Sequence, residues 1–157
     1  MTSLILIFEY CPGGELFFYL KNIGHFKESA AIFYASNIVL ALKYLHENQI
    51  LYRDLKAENL MVDKKGYIKL TDFGFATRLK DGHNLDKLVG THEYLAPELL
   101  KVKNSYSYAS DWWAFGCQLY EMLTNTTPFY GRNNKEILES ILRCSPDLTH
   151  KNLSFSA

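Results

Sequence analysis

The residues best suited to chemistry lie on one short segment, Tyr52-Arg53-Asp54-Leu55-Lys56-Ala57-Glu58-Asn59, followed by Asp72-Phe73-Gly74. Phosphoryl transfer needs an aligned hydroxyl, hard cations across the phosphates and positive charge for the transferring oxygens. Asp54 can orient a hydroxyl and accept its proton. Asn59, five residues on, offers a neutral oxygen to a hard cation, and Asp72 offers a charged one. Lys56, between Asp54 and Asn59, brings a compact positive charge to the same place. Gly74 permits the backbone turn that aims Asp72.

Each piece alone has an ordinary explanation. Asp72 fits a surface turn, and Asp54 and Asn59 fit a loop whose side chains cap backbone groups. A given tripeptide such as Asp-Phe-Gly arises by accident in about one chain in fifty of this length. The joint order, with a hairpin between the two pieces, is what carries the reading.

The elements that must position these residues are legible from periodicity. Leu4 to Phe8 reads as a buried strand closed by the turn Pro12-Gly13-Gly14. Glu15 to Asn22 reads as a short helix ending near Gly24. From Glu28 to Asn48, the residues Ala30, Phe33, Tyr34, Ile38, Ala41, Leu42 and Leu45 recur at helical steps and predict a long core-facing helix. Met61-Val62 and Tyr67 to Leu70 flank Asp63-Lys64-Lys65-Gly66, a hairpin signal. Thr77 to Thr91 shows no periodicity and reads as a long functional loop. Ser110 to Leu123 predicts a second apolar helix, with Trp112, Trp113, Phe115, Leu119 and Met122. Lys135 to Leu142 predicts an amphipathic one with Ile137, Leu138, Ile141 and Leu142 on one side.

Composition bounds the function classes. The 157 residues are 48% hydrophobic and 22% charged, enough for one globular domain. Seventeen basic and seventeen acidic residues cancel, so nothing in the balance marks a nucleic-acid or anionic-membrane partner. Cys11, Cys117 and Cys144 are far apart, which argues against a zinc site or a disulfide framework, and Cys117 reads as core. The five histidines show no metal-ligand spacing. Leu4 to Phe8 is too short for a signal sequence or a membrane span. A reducing intracellular compartment, the cytoplasm, is the expectation.

The sequence resembles the C-terminal lobe of a eukaryotic Ser/Thr protein kinase, and is most similar to the AGC group that includes the cyclic-nucleotide-dependent kinases. The matching pieces are Glu9-Tyr10 with Gly13-Gly14-Glu15, Tyr52 to Asn59, Asp72 to Ala76, Gly90-Thr91, Glu93 to Glu98, and Asp111-Trp112-Trp113-x-x-Gly116. The resemblance implies a protein-kinase-like α+β fold: a mostly helical C-terminal lobe with a hinge strand and a short β-hairpin, the N-terminal lobe largely absent. Residues 1–12 would be hinge strand and linker, 13–145 the helical lobe, and 146–157 a truncated tail.

It also implies roles. Asp54 would be the catalytic base, Lys56 the contact to the γ-phosphate of ATP, and Asn59 and Asp72 the Mg²⁺ ligands. Backbone groups from Glu9 to Cys11 would hold adenine, Glu15 the ribose, and Met61 would pack under the ring. Arg53 would bind an activation-loop phosphate, Thr91 would bridge Asp54 and Lys56, and Asp111 would brace the catalytic loop. Glu15, Glu58 and Glu121 match positions that read arginines in a protein or peptide substrate. A regulatory partner is left unidentified.

The pattern breaks in places. Ala57 and His92 stand where prolines are usual. Lys87, three residues before Gly90, replaces the usual phosphorylated hydroxyl, with Asp86 as a weaker, singly charged substitute. No G-x-G-x-x-G occurs, and no strand lysine precedes the hinge. The reading is therefore an incomplete kinase domain transferring the ATP γ-phosphate to Ser or Thr. The alternative is a non-catalytic kinase-fold module that binds peptides or a partner.

Overall fold

The computed structural model describes residues 5–79, 85, 87–102, 105–146, 148–150 and 153. Gly13 and Gly14 lie against a strand. Gly13 N–H donates to the Val62 carbonyl at 3.0 Å, and a Cβ on Gly13 would sit 2.7 Å from Val62 Cβ. β1 (Gly14–Glu15) then pairs with β3 (Leu60–Val62), which pairs with β4 (Ile68–Leu70), all antiparallel. The Asp63 carboxylate shapes the β3–β4 turn by accepting from Lys65 and Tyr67 N–H at 2.7 and 3.0 Å. Gly66 supplies the left-handed backbone there, at φ +87°.

The helices carry the mass. α1 (Leu16–Ile23) ends where Gly24, at φ +89°, turns its N–H back to the Leu20 carbonyl. α2 (Glu28–Glu47) buries Ala31, Ile38, Leu42 and Leu45. α4 (Tyr108–Thr124) lies against α2. Its start is tied down by Ser110 Oγ accepting from Ser107 N–H at 3.2 Å. Between them come β2 (Ile50–Leu51), β5 (Thr77–Arg78) and the short α3 (Pro97–Lys101). α5 (Asn134–Arg143) starts where Asn133 Oδ1 accepts from Glu136 N–H at 3.1 Å.

One core gathers Leu16, Leu20, Ile38, Leu42, Tyr52, Leu55, Leu60 and Met122. A smaller one joins Cys117, Phe129, Ile137 and Ile141. Burial pushes the Cys117 thiol up to about 12, so it stays protonated and acts as a core residue. No helix among the described residues is long and apolar enough to cross a membrane.

Several sequence expectations need correction. Leu4 lies outside the described residues. Ile5 to Phe8 form no buried strand: each is at least two-thirds exposed, and none pairs with another strand. An apolar run becomes a strand only where a neighbour accepts its ladder bonds, and the described residues supply none. On α2 the core residue is Ala31 rather than Ala30, and Phe33 is 40% exposed, resting on Tyr34 and Tyr67. Leu142 of α5 is likewise 39% exposed. The Thr77–Thr91 loop begins as a strand, since Thr77 and Arg78 pair with Leu51 and Ile50. Asp86 lies outside the described residues.

Candidate active site

The site is built outward from Asp111. This carboxylate sits on the first turn of α4 and is 1% exposed. Its Oδ2 accepts from Tyr52 N–H at 3.0 Å and its Oδ1 from Arg53 N–H at 2.9 Å. His46, from the last turn of α2, places Nε2 2.8 Å from Oδ2. These bonds hold Arg53 in the left-handed region, at φ +70°. That conformation costs a non-glycine residue about 1–2 kcal/mol, which bonds to a buried carboxylate offset. The reversal after Arg53 turns Asp54 away from the core and toward the loop that follows.

Asp54, 5% exposed, has both oxygens engaged. Oδ2 lies 2.9 Å from Lys56 Nζ and 3.0 Å from Asn59 Nδ2. Oδ1 accepts from Thr91 Oγ1 at 3.1 Å, while Lys56 Nζ donates to the same Thr91 oxygen at 3.1 Å. Asn59 Nδ2 also donates to the Asp54 carbonyl at 2.9 Å. The amide nitrogen is thereby committed and Oδ1 is left as its acceptor. A 3₁₀ turn at Ala57–Asn59 closes the loop and delivers it to β3. Gly90 makes the approach of Thr91 possible, because at φ +98° a Cβ there would meet the Arg53 carbonyl at 2.7 Å.

Asp72 comes from the far strand of the hairpin. Thr71 N–H donates to the Asn59 carbonyl at 3.0 Å, so Asn59 and Asp72 leave the β3–β4 pair at the same end. Asp72 is exposed, at φ +53°, and its Oδ1 accepts from Gly74 N–H at 3.1 Å. Among the described residues no three His, Cys, Asp or Glu side chains converge. The chain thus offers a neutral amide oxygen and one carboxylate. That set fits Mg²⁺, which binds through one or two protein oxygens and takes the rest from phosphates and water.

The residues expected from the sequence to border a nucleotide lie along β1 and the segment before it. Glu15 sits opposite Met61 in the β1–β3 register, and Gly14 N–H donates to the Cys11 carbonyl at 3.2 Å. Glu9 is more remote, paired with Lys69 at 3.5 Å on an exposed edge. Glu15 and Met61 are therefore paired on one sheet, Cys11 closes the turn that leads into it, and Glu9 is held only at the rim.

On the opposite side, Glu121 of α4 accepts the Tyr94 hydroxyl. Burial raises the Glu121 pKa; the Tyr94 bond opposes this, and the nearby charges of Glu58 and Glu93 add to the rise. Burial also pushes the Tyr94 phenol up, with Glu121 adding to it. Glu58 and Glu121 are thus neighbours in one acidic field, and Glu93 joins them. Arg53 faces away from it, its Nε donating to the Phe75 carbonyl at 2.7 Å.

Sequence reasoning missed four participants. His46 orients Asp111, Tyr94 orients Glu121, Tyr106 lies under Arg53, and the Thr71 carbonyl accepts the Tyr52 hydroxyl. Each is remote in sequence from its partner. The one available signal was a set of polar tips in otherwise apolar stretches, since a buried Tyr or His needs a partner.

Comparison with known proteins identifies the family. The family model for the protein kinase domain matches residues 1–156. The chain is 49% identical over 144 residues to the cAMP-dependent protein kinase catalytic subunit PRKX of Mus musculus, covering 92% of this chain and 40% of that protein. It is 50% identical over 141 residues to cAMP-dependent protein kinase catalytic subunit 3 of Drosophila melanogaster, covering 90% of this chain and 24% of that one. A cAMP-dependent protein kinase catalytic subunit of Schizosaccharomyces pombe is 46% identical over 140 residues, 89% of this chain and 27% of the yeast protein. The chain spans less than half the length of each. Since the match runs through nearly every residue, the chain belongs to the protein kinase domain family.

Proposed function

We propose that this chain carries the catalytic-loop half of a Ser/Thr protein kinase that transfers the γ-phosphate of ATP to protein hydroxyls. The observation that carries the proposal is the Asp54 carboxylate, fixed by Lys56, Asn59 and Thr91 at 2.9–3.1 Å. Asp54 accepts the hydrogen bond of the incoming Ser or Thr hydroxyl and takes its proton as the new P–O bond forms. Lys56, already aligned beside Asp54, meets the transferring phosphoryl oxygens. Bound ATP supplies the phosphoryl group, and Mg²⁺ neutralises its oxygens. Asn59 Oδ1 and Asp72 would hold the metal, while Cys11, Glu15 and Met61 would border the nucleoside and the backbone from Glu9 would reach adenine.

The acidic field of Glu58, Glu93 and Glu121 favours substrates with basic residues near the target hydroxyl. A cytoplasmic setting fits such substrates and the free cysteines. The exposed, unpaired run from Ile5 to Tyr10 favours a second reading, a non-catalytic module that docks a partner. Turnover decides between them. With ATP, Mg²⁺ and an arginine-containing Ser peptide, phosphate incorporation is expected, and Asp54→Asn lowers kcat about a hundredfold or more. No incorporation, or incorporation unaffected by Asp54→Asn, overturns the enzymatic reading.

A further inference from the structure

Between Asp72 and Thr91 the sequence contains only two hydroxyl side chains, Thr77 and Thr91. Thr77 lies in β5, paired with Leu51. Thr91 Oγ1 is bonded to both Asp54 and Lys56, so a phosphate there would dismantle the site it was meant to order. Lys87 can carry no phosphate ester. The segment is nonetheless fastened at both ends.

The fastening is made by Tyr106, which is 6% exposed. Its hydroxyl donates to the Val89 carbonyl at 2.7 Å and accepts from Val89 N–H at 2.8 Å, which satisfies both backbone groups of that residue. Its ring lies against the Arg53 guanidinium, 5.0 Å from carbon to ring centroid. Arg53 in turn reaches the Phe75 carbonyl at 2.7 Å. One tyrosine therefore joins Val89, one residue before Gly90 and two before Thr91, to the arginine beside the catalytic aspartate. Through that arginine it also reaches the residue after Gly74.

We propose that Tyr106 is a positioning residue that holds the Val89–Thr91 segment against the catalytic loop without phosphorylation. The hydroxyl fixes the backbone of Val89, the ring occupies the Arg53 guanidinium, and Thr91 is thereby set between Asp54 and Lys56. This proposal rests on the kinase reading for its catalytic meaning, but its geometry is testable without turnover.

The test is residue-resolved amide exchange on phosphatase-treated protein, comparing wild type with Tyr106→Phe, which keeps the ring and removes the hydroxyl. The Val89 amide is expected to exchange about tenfold faster in the variant, what one lost hydrogen bond amounts to. The Tyr52 and Arg53 amides, held by Asp111, are expected to be unchanged and so report that the fold is intact. In the peptide assay, kcat should fall about tenfold with the KM for ATP unchanged. Equal Val89 exchange in the two proteins overturns the proposal, and so does faster Val89 exchange in wild type after phosphatase treatment. A parallel rise in exchange at Tyr52 and Arg53 overturns the specific role in favour of a general loss of fold. Failure of the kinase reading shows instead as absent turnover in wild type with the Val89 difference intact.

Discussion

The two sides of the candidate site are built to different standards. The loop side, Tyr52 to Asn59 with Asp111 beneath it, buries its central polar groups: Asp54 is 5% exposed, Asn59 6% and Asp111 1%. The Asp54 and Asp111 oxygens and the Asn59 amide nitrogen each have a named partner. The side of Asp72 and of the segment before β1 is open. Phe73 beside Asp72 is 49% exposed and Tyr10 84%, and Glu9 is held by a single surface ion pair. The geometry around Asp54 is thus written into the fold, whereas that around Asp72 and Glu9 is left free to adjust. Buried hydrogen bonds fix geometry because leaving one unmade costs about 1–3 kcal/mol, while exposed groups turn to water at little cost.

That contrast can be broken from the buried side first. Asp111→Ala strands two backbone N–H groups and the His46 ring, and should cost about 3–5 kcal/mol in a denaturant titration. A loss below about 1 kcal/mol would mean that the loop holds its own shape. Gln118→Leu sharpens the contrast from the opposite direction. Gln118 is fully buried on α4, and its amide makes no hydrogen bond of good geometry, with the Glu121 carboxylate as a weak partner. Exchanging it for an apolar side chain of similar size should raise stability by about 1–3 kcal/mol, read as a higher unfolding midpoint.

The acidic face gives a smaller, pH-dependent effect. Burial raises the Glu121 pKa, so the folded protein binds this proton at a higher pH than the unfolded chain does. Stability gained from the protonated form is therefore present at low pH and lost as pH rises through the raised value. Glu121→Gln should flatten that part of the stability profile. It should also weaken a basic peptide less at pH values where wild-type Glu121 is already protonated. The smallest expected change is Asp72→Asn, within about 0.5 kcal/mol of wild-type stability, since the side chain is exposed and bonded only to Gly74. A large loss of stability there would erase the distinction between the two sides.

The site residues were legible in the sequence because their types and spacing are set by chemistry within one loop and one hairpin. α2 was legible because Ile38, Leu42 and Leu45 repeat at helical steps and bury that face. The β3–β4 hairpin announced itself through Asp63 and Gly66. What stayed hidden was pairing at a distance. β2 and β5 are two residues each and become strands only by meeting one another. Ile5 to Phe8 erred the opposite way, since their apolar pattern states a need for cover without supplying any. His46, Tyr94 and Tyr106 were invisible as contributors because a polar tip does not name its partner.

The Asp111 bonds also set an order of events. Tyr52 and Arg53 are separated from Asp111 by 59 and 58 residues, and His46 by 65. Arg53 cannot be held in its left-handed backbone until α4 exists to hold it. On a ribosome emitting the chain from its N-terminus, the catalytic loop must wait as an unshaped segment until α4 has emerged and docked on α2. Shaping of the loop around Asp54 is then timed by a helix that is synthesised well after it.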